Sequence, residues 1–208
     1  MAYKNKQPKR TWSWNQECYR DSTYFAPDGE EFCLKHLAKH MVELKYEYKC
    51  TVSNTKQKGT VSTNITYDHH CFTRERKEDD TCPTIVTDNY SDGKSVERVF
   101  CNKRYEFSKK LIKITKDLSY KLCRESKTFG KAIRLEEPDR QRPGNGIYIV
   151  IKVRPNKHNK TLNLFVETAH FRHNEPHEAD LRKEPRKYML ILGNWIKDGR
   201  HGYNSLIP

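Results

Sequence analysis

Nothing in this sequence is apolar for the ~18 consecutive residues that a membrane-crossing helix needs, so no membrane partner is expected. The start, MAYKNKQPKR, is basic and polar with no apolar stretch behind it, which argues against a secretory leader and reads as a loose arm. No CxxC pair occurs among the seven cysteines (Cys18, Cys33, Cys50, Cys71, Cys82, Cys101 and Cys123). An odd count at long spacings fits free thiols in a reducing cytoplasm better than a disulfide framework. Glycine-rich phosphate loops are missing too: Gly144-Asn145-Gly146 is followed by neither Lys nor a helix start, so no nucleotide cofactor is expected. Apolar residues are scarce, at 35% against 32% charged, which limits the core and leaves a heavily ionised surface.

What is present is positive charge and aromatic mass. Lys and Arg number 40 against 27 Asp and Glu, a net charge of +13. A chain this basic points to nucleic acid, RNA favoured, or to an acidic protein surface as its partner. The 12 Tyr, 8 Phe and 3 Trp supply large units for burial.

Periodicity predicts an α+β fold: a mostly antiparallel twisted sheet with one main amphipathic helix and a smaller N-terminal helix. Residues 1–23 read as a flexible arm docked by Trp12 and Trp14, residues 24–196 as one domain, and residues 197–208 as a polar tail. In the segment 31–44, Phe32, Leu34, Leu37, Met41 and Leu44 recur near helical spacing and predict the small helix. Segments 45–53 and 61–69 alternate and predict a hairpin. Residues 75–94 are charged and rich in turn residues, and read as an inserted polar loop. Asn102 can cap a helix over 103–118 with Tyr105, Phe107, Leu111, Ile112, Ile114 and Leu118 inward. Strands are expected at 120–125, 132–136, 147–154 and 161–172, and loops at 138–146, with Arg140 and Arg142, and at 173–187. The apolar run 188–196 predicts a last strand, with a short helix as the alternative.

The stretch TLNLFVETAHFR (161–172) organises the functional reading. As a regular strand it would put Leu162, Leu164, Val166, Thr168, His170 and Arg172 on one face, apolar at one end and polar at the other. The second cluster is Asp68-His69-His70-Cys71-Phe72-Thr73-Arg74, and the third places Arg104 and Ser108 four apart on the main helix.

Metal chemistry fits these residues poorly. His36 and His40 lack a third ligand, and His69, His70, Cys71, Cys82 and Cys101 match no usual zinc spacing, so no metal is expected. Adjacent residues on a strand face oppositely, which separates His70 from the Cys71 sulfur and argues against a thiol nucleophile. Metal-free phosphoryl transfer remains. It needs a base, an acid and a cation or hydroxyl donor for the phosphorane; histidine suits the first two roles and arginine the third. The sequence offers His69 or His70 with Thr73, Arg104 with Tyr105 and Ser108, and Thr168, His170 and Arg172.

HHCFT (69–73), RYEFSKKL (104–111) and VETAH (166–170) together resemble the barnase–EndoU–colicin–RelE group of metal-independent ribonucleases, over roughly residues 67–172. DHHCFTRE followed by RYEFS is also similar to small proteins of phages, prophages and plasmids. The resemblance implies a metal-independent ribonuclease or ribonuclease-like toxin, with His70 or His170 transferring protons, Arg104 and Arg172 clamping phosphate, and Thr168 or Ser108 donating a hydroxyl. The competing expectation is a non-enzymatic protein of a mobile element that binds nucleic acid or an acidic host protein, with cationic patches at Lys103, Arg104, Lys109, Lys110 and 182–186.

Overall fold

The computed structural model describes residues 23–26, 29–126, 132–138, 146–172 and 181–206. The expected arm, the loop arginines Arg140 and Arg142 and most of the loop after Arg172 lie outside these residues.

β1 (Thr23–Phe25) and β2 (Glu31–Cys33) form a small hairpin. β3 (His40–Lys49) and β4 (Lys56–Tyr67) form a long antiparallel one. The helix expected over 31–44 is replaced by a strand, a 3-10 turn at Lys35–Leu37 and another strand. Phe32, Leu34, Leu37 and Leu44 are buried, as a helix would have required. They owe this to strand alternation on either side of the turn, and the helical spacing is a coincidence of the two.

β5 (Thr73–Glu75), β6 (Thr84–Asn89) and β7 (Ser95–Phe100) build a second, three-stranded sheet in the order β5-β7-β6. β6 lies inside the segment expected to be a polar loop. The expected main helix is divided into α1 (Asn102–Ser108) and α2 (Leu111–Lys116), followed by a 3-10 turn at Leu118–Tyr120. β8 (Leu122–Ser126), β9 (Ala132–Pro138), β10 (Gly146–Asn156) and β11 (Thr161–Arg172) follow, then β12 (Leu181–Lys187) where a loop was expected. The final apolar run is α3 (Tyr188–Lys197), a helix. A 3-10 segment at Arg200–Leu206 closes the described chain. It is no loose tail: Tyr203 is buried and donates to the Val153 carbonyl at 3.1 Å.

The main sheet runs β12-β8-β9-β10-β11-β4-β3. Its pairings are antiparallel except one: β11 lies parallel to β4, with Leu162 opposite Thr63 and Val166 opposite Tyr67. The main core fills one side of this sheet, where Leu44, Ile65, Ile149, Ile151, Leu164 and Val166 meet Leu111, Leu118, Ile191 and Leu192. α3 comes so close to β3 that a Cβ on Gly193 would stand 2.1 Å from the Glu47 carbonyl oxygen.

A β-bulge corrects the expected face of β11. Val166 pairs with Ile151 and Thr168 with Val150, leaving Glu167 as an extra residue. The extra residue reverses the alternation. Ala169 joins Leu162, Leu164 and Val166 on the core side, while Thr168 and His170 turn to the opposite face beside Val150 and Tyr148.

Candidate functional site

The densest polar cluster sits where β4 ends. Asp68 closes the strand, its backbone N–H donating to the Val166 carbonyl of β11 at 2.9 Å. The Asp68 carboxylate then accepts from the His70 N–H at 3.1 Å and caps the one-turn 3-10 helix at His69–Cys71. This turn directs both imidazoles at one carboxylate. Asp88 of β6 has Oδ1 3.0 Å from His69 Nε2 and Oδ2 2.7 Å from His70 Nε2. On its other side His69 has Nδ1 2.9 Å from Asp68 Oδ1.

Two arginines complete the arrangement. Arg98 of β7 donates from Nε to Thr73 Oγ1 (3.0 Å) and reaches Asp88 Oδ2 at 3.5 Å. Thr73 in turn donates to the His69 carbonyl at 2.9 Å. Arg104 of α1 donates from Nη1 to the carbonyls of His70 and Thr73, each at 2.9 Å. Asp68, His69, Thr73 and Asp88 are fully buried, and Arg98 and Cys71 nearly or wholly so.

Electrostatics follow from this geometry. Burial alone would lower the His69 pKa, but the two carboxylates outweigh it and raise it above the ordinary value. The two aspartates thus favour the protonated form of His69. Burial alone would raise the Asp88 pKa, but hydrogen bonds from His69 and His70 overcome it and hold the carboxyl well below the usual range. His70 titrates below its ordinary value because burial outweighs its Asp88 bond. Burial likewise lowers Arg104.

Asp68, His69 and His70 present ligand atoms within 4.8 Å of one another, the nearest approach to a metal-ligand set among the described residues. Both ring nitrogens of His69 nevertheless face carboxylates at hydrogen-bond distance, and the Arg98 guanidinium adds positive charge beside Asp88. The same groups form an ion-pair knot. It fastens the three-stranded sheet to the end of β4.

The other expected site residues lie elsewhere. Ser108 is fully buried, with Oγ 2.6 Å from His36 Nε2 and 2.6 Å from the Tyr105 carbonyl. His36 is held below its ordinary pKa mainly by burial, and its Nδ1 lies 3.1 Å from the Cys33 carbonyl. A neutral ring there donates to Cys33 and faces the Ser108 hydroxyl, yet the complete burial of Ser108 gives a substrate no approach to Oγ. Thr168 and His170 form a half-exposed pair, Oγ1 to Nδ1 3.2 Å, against the Tyr148 ring. Arg172 ends β11 opposite Gly146, and its side chain lies outside the described residues. The bulge thus puts Thr168 and His170 on the face away from the core, whereas Ser108 is packed on the core side.

The family model described as the YjaZ family matches residues 21–196. The chain belongs to the YjaZ family. No curated protein and no solved structure matches it.

In this YjaZ-family chain a further feature lies outside the knot. Lys103, Lys109, Lys110, Lys113 and Lys116 of α1, α2 and their junction are all exposed. The 3-10 turn at Lys35–Leu37 adds exposed Lys35 and Lys39. Lys109 helps to depress His36 and Lys116 helps to depress His40, which sets the turn directly against these helices. Acidic groups on α1, α2 and the following turn are few: Glu106, which pairs with Lys109 at 2.6 Å, and Asp117.

Sequence reasoning missed Asp88 and Arg98, because both fall in or beside the segment read as a loop. The run Thr84-Ile85-Val86-Thr87 carried the signal, as four successive β-formers mark a strand even within charged surroundings.

Proposed function

We propose that the protein is a cytoplasmic nucleic-acid-binding protein, RNA favoured, that holds its ligand without cleaving it. The observation that carries this reading is the set of exposed lysines on α1, α2 and the neighbouring Lys35 and Lys39, which outnumber the acidic groups Glu30, Glu106 and Asp117 around them. Such a face attracts a phosphate backbone by releasing its counterions, with no demand on sequence. The knot supports binding over catalysis. His69 is fully buried, His70 is tied to Asp88 and Arg104 is tied to backbone carbonyls.

Fluorescence anisotropy with a labelled single-stranded RNA tests the proposal. Affinity should fall steeply with salt, with a log–log slope of about −0.7 per phosphate neutralised. The triple charge reversal K109E/K113E/K116E should weaken binding at least about tenfold and flatten that slope by about 2. Unchanged binding by the triple variant would remove the lysine face from the reading, and tight binding only to an acidic protein would change the partner.

A second reading, a metal-independent ribonuclease or ribonuclease-like toxin, is favoured by the half-exposed Thr168–His170 pair. It requires cleavage of total RNA in the presence of chelator, abolished by H170A with the fold intact.

A further inference from the structure

Arg134 of β9 is 6% exposed, yet its Nε and Nη1 have no hydrogen-bond partner. A buried guanidinium with idle donors is costly, because water has been removed and nothing replaces it. It also stands directly opposite Arg124 of β8, and like charges facing each other across strands destabilise a sheet. The Arg134 guanidinium lies over the Tyr148 ring, 4.5 Å from its centroid. That stacking accounts for one face of the group but satisfies none of its N–H donors.

The surroundings supply what an oxyanion needs. Arg134 is opposite Val150, and Val150 is opposite Thr168, so the arginine and the threonine lie in one row across β9, β10 and β11. Neighbouring strands are about 4.8 Å apart, which puts these two backbones about 10 Å from each other. Tyr148 is in the next row opposite His170, with ring centroids 5.4 Å apart. The β11 bulge is what places the Thr168 hydroxyl and the His170 imidazole on the Arg134 side of the sheet.

We infer that Arg134, Thr168 and His170 form a pocket for a single phosphate group, on the sheet face away from the main core and separate from the lysine face. The guanidinium supplies a charged N–H donor, the hydroxyl supplies another, and the imidazole supplies a donor that strengthens on protonation. The phosphate comes either as the free ion or as the terminal phosphate of a nucleotide chain.

Thermal unfolding of the full chain, at ionic strength matched with chloride, tests the site with two probes: inorganic phosphate and a 5′-phosphorylated RNA oligonucleotide compared with its 5′-hydroxyl form. The Tm of the native sequence should rise with phosphate concentration, as for any ligand that binds only the folded state. R134Q should need about tenfold or more phosphate for the same rise. T168V should respond more weakly than the native sequence with unchanged circular dichroism, which keeps the test valid if R134Q fails to fold. K109E/K113E/K116E should keep the response, so failure of the lysine-face reading and failure of this one are distinguishable. A 5′-phosphate preference that depends on Arg134 assigns the terminal phosphate as the source, and a response to inorganic phosphate alone assigns the free ion. The inference is overturned if neither probe raises the Tm, if acetate acts equally well, or if R134Q and T168V respond like the native sequence.

Discussion

His69 has a carboxylate at each ring nitrogen, and this decides where its proton stays. Its raised pKa makes the imidazolium a source of stability that is complete below the unfolded value of about 6.5 and is lost as pH climbs through the folded one. Asp88 works from the other side. Its depressed pKa contributes stability above the unfolded value of about 3.9, which is lost as pH falls. His69 and Asp88 together should stabilise most between about pH 4 and pH 6.5. His70, whose pKa is lowered, withdraws stability as pH falls below about 6.5, so the maximum lies toward the upper end of that window. Urea titrations across pH 4–9 should show stability declining on the alkaline side of that window, and H69Q should lower the maximum and flatten the decline. Equal slopes in both proteins would separate His69 from the pH dependence. At this scale the sequence was half legible. Asp68, His69, His70 and Thr73 stood out as one polar cluster and Arg104 with Ser108 as another; the first does gather and Arg104 joins it, while Ser108 packs against His36. The first cluster's partner Asp88 is an ordinary acid in a charged run, and only long-range pairing makes it special.

Elements were readable where one periodicity ruled. The strand expected over 161–172 coincides with β11, and that over 147–154 lies within β10. The face assignment failed midway along β11, because V-E-T carries no mark that tells a regular pleat from a bulge. The last apolar run shows the opposite case. Tyr188, Ile191, Leu192, Trp195 and Ile196 are the buried residues of α3, spaced three and four apart, so the helical signal lay beneath the density of apolar residues. α3 also explains why a glycine stands in the middle of a helix. G193A would put a methyl group into the Glu47 carbonyl, and the helix must back away from β3. Overpacking of this kind costs about 1–3 kcal/mol, with a Tm loss of roughly 2–4 °C per kcal/mol for a chain of this size. Calorimetry of G193A should show that loss, and an unchanged Tm would mean that α3 is less closely seated than described.

For the whole molecule, the knot is the fastening between two sheets. Asp88 belongs to the small sheet, and the turn that carries His69 and His70 hangs from the large one. Removing one partner of a buried ion pair costs about 3–5 kcal/mol, since the other charges are left behind. D88N should accordingly loosen β6 and β7 ahead of the rest. Hydrogen exchange should report faster amide exchange at 84–89 and 95–100 while β10 and β11 stay protected; uniform acceleration would mean one cooperative unit instead. Composition anticipated the basic surface, but not its distribution. The 3-10 turn packs beside α1, with His36 Nε2 2.6 Å from Ser108 Oγ, and so adds exposed Lys35 to the lysines of the helices.

β4 acquires one neighbour almost at once, from the hairpin with β3, and waits for the other. The Thr66 hydroxyl and the Leu164 carbonyl it bonds are 98 residues apart. At about 5–20 residues per second, a ribosome takes roughly 5–20 s to deliver the missing strand. Throughout that interval a nascent chain displays an uncapped, β-branched border to every other nascent chain nearby. Nascent chains arrested before Thr161 should therefore aggregate or recruit chaperones, and completed chains should not.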